Sequence, residues 1–259
     1  MDQKRSVQLW MNIERQRQGF ERKWTFRFMS SLKKQAKPVI EELGRSKPEE
    51  VLARLDGLIK DTEVRDSFKR LYPEVGVHFA RGAYKGMRKG LKQGYDDIWM
   101  DEIIRYAETR AGVRIVSITG TRLELARRIL KDLMMTETIE QGMGVEQIAR
   151  MFQRRFIEEF GKYDLWQARR IAQTEVLTAS NFGSHIGANE AGAQVKVWLT
   201  SGIVNKDIRH VGYPGLHNQE RRMDEYYNVG GYRAMYPGDT ILPPEEVINC
   251  KCIEYYKIL

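Results

Sequence analysis

Cysteine is almost missing from this sequence: Cys250 and Cys252 are the only two, and a single residue separates them. So close a pair makes a strained disulfide, so reduced thiols and synthesis in the cytoplasm are expected. No run of about 18 apolar residues occurs, so no transmembrane helix is expected. The basic N-terminus is followed by neither an apolar core nor a small-residue cleavage site, so no secretory leader is expected. The Gly-x-x-x-x-Gly-Lys-Ser/Thr run of a phosphate-binding loop is missing, as are a helix-turn-helix or finger pattern, an internal repeat and any low-complexity tract.

What is present describes a soluble globular protein on the polar side, with 42% hydrophobic and 30% charged residues. A chain of 259 residues is long enough for one large domain or two smaller ones. The net charge of +8 is uneven: residues 1–47 hold 12 Lys and Arg against 5 Asp and Glu, and the remaining residues hold 31 against 30. The excess is therefore an N-terminal property. It points to an anionic partner, nucleic acid or an acidic protein surface, or to a solvated helix face.

Helical periodicity dominates the first three quarters of the chain. Residues 3–36 read as one long helix with a stripe of Leu9, Ile13, Phe20, Trp24, Phe28 and Leu32, to be covered by the chain's own core or by a partner. Trp10 and Phe26 lie off that stripe. Pro38 bends or ends the helix, and Ser46, just before Pro48, is placed to cap the next. Further helices are expected over Val64–Leu71, ending at Tyr72-Pro73, over residues 73–91 and over Ile98–Ala111. In the second of these Gly76, Gly82, Gly86 and Gly90 allow a close helix–helix approach. Ile103 and Ile104 mark the buried side of the third. Ser117–Thr121 reads as a capped turn, and Gly161 as a break before the helix that starts near Gln167. After Gly192 the period is lost: Val195–Thr200 and Ile248–Tyr256 read as strands, with Tyr226, Tyr227, Tyr232 and Tyr236 in an irregular loop between them. The expected fold is mainly α, a long N-terminal helix and helical body followed by a small, loop-rich α+β C-terminal module.

The last third carries the most information. Its helix has an apolar face of Trp166, Ala168, Ile171, Ala172, Leu177, Ala179 and Ile186. Arg170, Thr174, Thr178, Asn181 and His185 step by three or four along a polar line. Glu175 stands beside that line, where backbone amides or Arg209 can donate to it. We read this as a structural seam that holds a loop, because the spacing supplies no second acid for acid–base chemistry.

The segments Ile171-Ala172-Gln173-Thr174-Glu175, Thr178-Ala179-Ser180-Asn181-Phe182-Gly183, Lys196-Val197-Trp198, Pro237-Gly238-Asp239 and Ile248-Asn249-Cys250-Lys251-Cys252 follow one another in a fixed order. In that order and separation they resemble the phage Mu F-type minor head proteins, over roughly Thr119 to Ile253. Such proteins are minor capsid components of tailed phages, associated with the portal, present in few copies and in some phages ejected with the DNA. The resemblance implies a head-morphogenesis domain at 119–259, which charge and helical spacing precede with a basic amphipathic helical arm at 1–47 and a helical region at 48–118. It implies a framework of Arg170, Thr174, Glu175, Asn181, Trp198, Asp207, Arg209 and Asn249. It also implies a virion location near the portal, after synthesis in the bacterial host cytoplasm, with portal protein and other head subunits as partners. The chain departs from the family between Asp207 and Asn218, where the spacing is stretched and Asn218 stands in place of glycine. Both His210 and His217 thus remain matches for the family histidine.

Three chemistries compete with a purely structural role. Cys250 and Cys252 with His210 and His217 supply the four S and N ligands of a structural zinc, although the two cysteines are also read as small buried thiols. A cysteine nucleophile with a histidine partner would make an enzyme, but nothing beside Cys250 signals an activated thiolate, and a zinc-dependent hydrolase would have to use Asp207, Asp224, Glu225 and Asp239, acids scattered through loops. Weak, nonspecific DNA contact through residues 1–47 fits a protein delivered with the genome, while docking of the aromatic stripe on a protein groove fits one bound to the portal.

Overall fold

The computed structural model of the protein describes residues 3–88, 95–136, 145–200 and 215–259. Among them are the helices α1 (Gln3–Leu43), α2 (Pro48–Leu58), α3 (Thr62–Met87), α4 (Tyr95–Thr136), α5 (Val145–Glu190) and α6 (Pro244–Val247). The strands are β1 (Val195–Leu199), β2 (Glu220–Arg222), β3 (Tyr227–Val229), β4 (Tyr232–Ala234) and β5 (Ile253–Lys257). The chain is a helical body followed by a small β-containing C-terminal module, the class its sequence predicts. No described helix is long and apolar enough to cross a membrane.

The helices run through residues that the sequence marks as stops. Pro38 lies inside α1 and Pro73 inside α3. Ser117–Thr121, expected as a turn, is a continuous part of α4, and Gly161 interrupts nothing in α5. A proline inside a helix forfeits one backbone bond and costs about 3 kcal/mol, which only packing offsets. Each of these positions is flanked by buried residues: Gln35, Ala36 and Val39 around Pro38, Leu71, Tyr72 and Val75 around Pro73, Phe156, Phe160 and Asp164 around Gly161. Ser46 does not cap α2. Its hydroxyl donates to Glu42 Oε1 at 2.8 Å, and Lys47 precedes Pro48 at the helix start without a side-chain bond.

The chain divides into two compact units, each assembled from separate stretches. One consists of Thr25–Phe68 and Ala111–Arg169. Its core gathers Ala36, Val39, Leu43, Val51, Leu55 and Ile59 with Leu125, Ala126, Ile129, Leu130, Phe152, Phe156 and Phe160. Arg122 is buried in it, donating to Asp164 Oδ1 at 2.6 Å and to the Leu32 carbonyl at 3.1 Å, with its guanidinium 3.9 Å from the Phe160 ring centroid. Phe28 meets Phe68 edge-on here. The apolar assignment fails at Trp166, which is exposed.

The other unit consists of Met1–Trp24, Lys69–Arg110 and Arg170–Leu259. An antiparallel sheet of order β2-β1-β5 lies in it, with Lys196 opposite Tyr256 and Trp198 opposite Glu254. Alternation therefore puts Lys196, Trp198, Glu254 and Tyr256 on one face and Val197, Leu199, Ile253 and Tyr255 on the other. The tyrosine-rich stretch is ordered as a hairpin. Gly230 and Gly231, both at positive φ, make the two-residue turn between β3 and β4, burying Tyr227 and leaving Tyr232 exposed. Helices α3 and α5 touch backbone to backbone: a Cβ added to Gly183 would stand 2.1 Å from the Gly76 carbonyl oxygen, and one added to Gly187 equally close to that of Ala80. Of the other glycines expected at this contact, Gly82 and Gly86 face open space, and Gly90 lies outside the described residues. Ile104, expected on the buried side of α4, is partly exposed.

Candidate functional site

The segments that carry the family resemblance converge in the second of these units. Thr178 Oγ1 on α5 donates to the Gly238 carbonyl at 2.9 Å. Three residues on, Asn181 Nδ2 donates to the Pro237 carbonyl at 2.7 Å and to the Cys252 carbonyl at 3.1 Å. One amide thus ties two distant turns to one helix.

The residue types of those turns follow from their backbone. Gly238 has φ +78, and a side chain there would crowd Leu177 and Thr178. Asp239, buried, accepts from the Met235 and Ile241 amides at 3.0 and 3.2 Å and so closes the turn from both sides. Asn249 sits at φ 61, a left-handed conformation that asparagine tolerates better than most residues. After it, Cys250 Sγ accepts from the Cys252 amide at 3.4 Å, and both thiols pack among Trp198, Tyr227, Val229 and Val247.

The node is completed by α1, from residues that sequence reasoning missed. Arg17, 1% exposed, donates to Ser180 Oγ at 2.7 Å, to the Cys252 carbonyl at 3.2 Å and to Asn181 Oδ1. Trp10 Nε1 donates to the Lys251 carbonyl at 3.0 Å, and Lys251 Nζ to Glu14 Oε1 at 2.6 Å. Trp10 also packs on Leu199 and Ile253, with Leu9, Ile13 and Tyr255 against them. The available signal was Arg17 itself, a charge four residues after Ile13 and seven after Trp10, in the middle of the apolar stripe. Burial lowers the Arg17 pKa, and Glu14 pulls it back up.

The stripe residues are accounted for within the chain. Trp24, Phe28 and Leu32 are fully buried, and Leu9, Ile13 and Phe20 are half-buried. Of the framework residues, Thr174 bonds back to the Arg170 carbonyl at 2.9 Å and Trp198 is buried. Glu175 accepts from Tyr72 Oη at 2.7 Å; Asp207 and Arg209, the latter its expected donor, lie outside the described residues.

A buried polar cluster lies on the α5-facing side of the sheet. Lys196 Nζ donates to the Met235 carbonyl at 2.7 Å and stands 5.1 Å from the Tyr227 ring centroid. Desolvation lowers its pKa to about 8, against the pull of Glu254 and Asp239. Glu254 accepts from Tyr256 Oη at 3.0 Å and lies 3.5 Å from His185 Nδ1, while its second oxygen has no hydrogen-bond partner among the described residues. Burial raises Tyr256 and Tyr236 well above their ordinary range.

For zinc, the test is whether the ligands gather. Among the described residues no group of three or more His, Cys, Asp or Glu side chains is placed to hold a metal ion. His217 Nδ1 instead accepts from the Thr200 amide at 3.3 Å, and His210 lies outside the described residues. Chemically, the node can hold strands and turns together: its donors and acceptors are engaged with each other and with backbone carbonyls. Compared with models of protein families, with curated proteins and with solved structures, the chain matches none of them.

Proposed function

We propose that this chain is a minor head protein of a tailed phage or prophage, a virion component near the portal that assists head assembly, DNA packaging or ejection. It works by geometry, without turnover. The observation that carries the reading is the convergence of Asn181, Pro237, Gly238 and Cys252 on one buried hydrogen-bonded node. These are the residues by which the sequence resembles the Mu F-type proteins. Thr178 and Asn181 hold the Gly238, Pro237 and Cys252 carbonyls and so brace the C-terminal module, as a framework requires.

The aromatic stripe of α1 is taken up inside the chain, so docking on the portal falls to the exposed surface. Deleting residues 1–47 would remove Trp10, Glu14 and Arg17 from the node and so test folding instead of docking. The informative experiment is mass spectrometry of purified particles, with copurification of the intact, C-terminally tagged chain and the portal protein of the same phage. A few copies per particle and retention by the portal are expected. Absence from particles together with no portal association would overturn the proposal.

A further inference from the structure

Where α5 ends beside the three-stranded sheet, a cleft of about 820 Å3 opens, a size suited to a small ligand. Its polar lining is His185 and Asn189 on α5, Gln194 before β1, and Arg222 and Asp224 at the end of β2. Ala193, Val195, Met223 and Leu259 give it an apolar wall. Among the described residues no Trp, Tyr or Phe lines it, so nothing there stacks a nucleobase. The whole cleft belongs to one compact unit.

His185 fixes what the cleft offers. Its Nδ1 is buried and stands 3.5 Å from Oε2 of Glu254, a carboxylate 3% exposed. A carboxylate at that nitrogen favours the tautomer with its proton on Nδ1, which leaves Nε2 as an acceptor. The nearby charges favour a cation as well. The Glu102 carboxyl is pushed up, first by desolvation and then by Glu190, while His185 and Arg105 draw it down. Carboxylates that raise one another are relieved by a positive charge beside them. Of the other acids, Glu254 is answered by Lys196, and Asp224 Oδ1 lies 3.4 Å from Arg222 Nε. An anionic ligand would therefore have to displace Asp224 from Arg222.

We infer that this cleft binds a primary alkylammonium group, with its methylene stem along the apolar wall and its charged end among His185, Asn189 and Asp224. A stem that buries while its head stays hydrogen-bonded is the arrangement long amines adopt on proteins. Free diamines and lysine side chains of other proteins both carry this group. The inference goes beyond the virion reading and does not rest on it, because particle association can stand when amine binding fails.

The test is isothermal titration calorimetry of the intact chain with cadaverine and with N-acetyl-lysine amide, and with pentanol and acetate as neutral and anionic controls. Saturable binding of at least one amine and of neither control is expected. Asp224 and Arg222 are 75% and 73% exposed, so Asp224→Lys should keep the parent melting temperature. It should weaken amine binding roughly tenfold or more, by setting like charge against like. Asn189→Phe fills the cleft without changing its charge and should weaken binding too. Glu124→Gln with Glu146→Gln removes exposed acids remote in sequence from the cleft and should leave binding as it is. Binding of cadaverine alone would assign the cleft to a free diamine, and binding of N-acetyl-lysine amide to a lysine side chain. No binding of either amine up to about 10 mM, weaker than any specific site, would overturn the inference. Binding unchanged in both cleft variants would overturn it as well, as would pentanol or acetate binding as tightly as the amines.

Discussion

Arg17 and Asn181 are bonded side chain to side chain across 164 positions of sequence, and each also holds the Cys252 carbonyl. That shared acceptor joins the first helix, the resemblance-bearing helix and the end of the chain. Replacing Arg17 with methionine keeps the apolar stem but leaves Asn181 Oδ1 without this donor inside the core. The expected loss is about 3 kcal/mol or more, read as a lower urea midpoint, because a buried polar group deprived of a charged donor costs more than the bond contributes. Arg17→Lys should recover only part of it, since an ammonium cannot span three acceptors as the guanidinium fork does. Equal stability of Arg17→Met and the parent would show that the node contributes nothing.

Gly183→Ala and Gly82→Ala should move stability in opposite directions. A methyl on Gly183 meets the Gly76 backbone and forces α3 and α5 apart, at a cost of about 2–3 kcal/mol or more. On Gly82 it meets nothing within 4 Å, in the interior of α3, and should stabilise by roughly 0.5–1 kcal/mol through helix propensity. Thermal melts of the two variants decide it. Destabilisation by both would mean that α3 needs flexibility at Gly82 for another reason.

Lys196 makes stability depend on alkaline pH. Its pKa is lowered to about 8 in the folded chain, so between about pH 8 and 10 the unfolded chain holds a proton that the folded one has released. Stability therefore rises with pH across that window and lacks this gain below it. Above about pH 10 the trend reverses, because unfolded tyrosines ionise while Tyr236 and Tyr256 resist. The charged groups that favour its protonated form are Glu254, Asp239, Asp224 and Glu225, with Glu254 the largest. Urea midpoints at pH 7.5 and 9.5 should differ in the parent and converge in Lys196→Met. A parent with no difference would sink the assignment.

The Arg122–Asp164 pair should behave as a specificity device instead of a net stabiliser. Desolvation dominates both shifts, lowering Arg122 and raising Asp164 against their mutual attraction. Asp164→Leu alone leaves a buried guanidinium and should cost about 3–5 kcal/mol, whereas Arg122→Met with Asp164→Leu should return most of that loss. A double mutant as unstable as the single would mean that the pair is net favourable.

Fold class was legible because the apolar spacing of Val51, Leu55, Ile129 and Phe156 is helical wherever it is read, and all four are core residues. Helix ends were not. Pro38, Pro73 and Gly161 argue locally for breaks, and only the burial on either side, a tertiary effect, overrides them. At the node, Thr178 and Asn181 were placed on one polar line by spacing alone, but their acceptors lie some 60 and 70 positions away in turns that spacing cannot pair. Arg17 was hidden for the opposite reason: counted among the basic residues of the first 47, it reads as one more solvated charge.

The bond from Trp10 to the Lys251 carbonyl closes a loop of 241 residues. During translation α1 therefore emerges long before the segment it packs against. At about 5–20 residues per second, Trp10 waits some 12–50 s for that partner, and Arg17 for its acceptor at Cys252. Over that interval the nascent chain offers an indole without its native cover, the kind of surface that chaperones hold. Folding speed in this protein is thus bounded by the ribosome, and its yield should depend on what shields the first helix until the last strand is made.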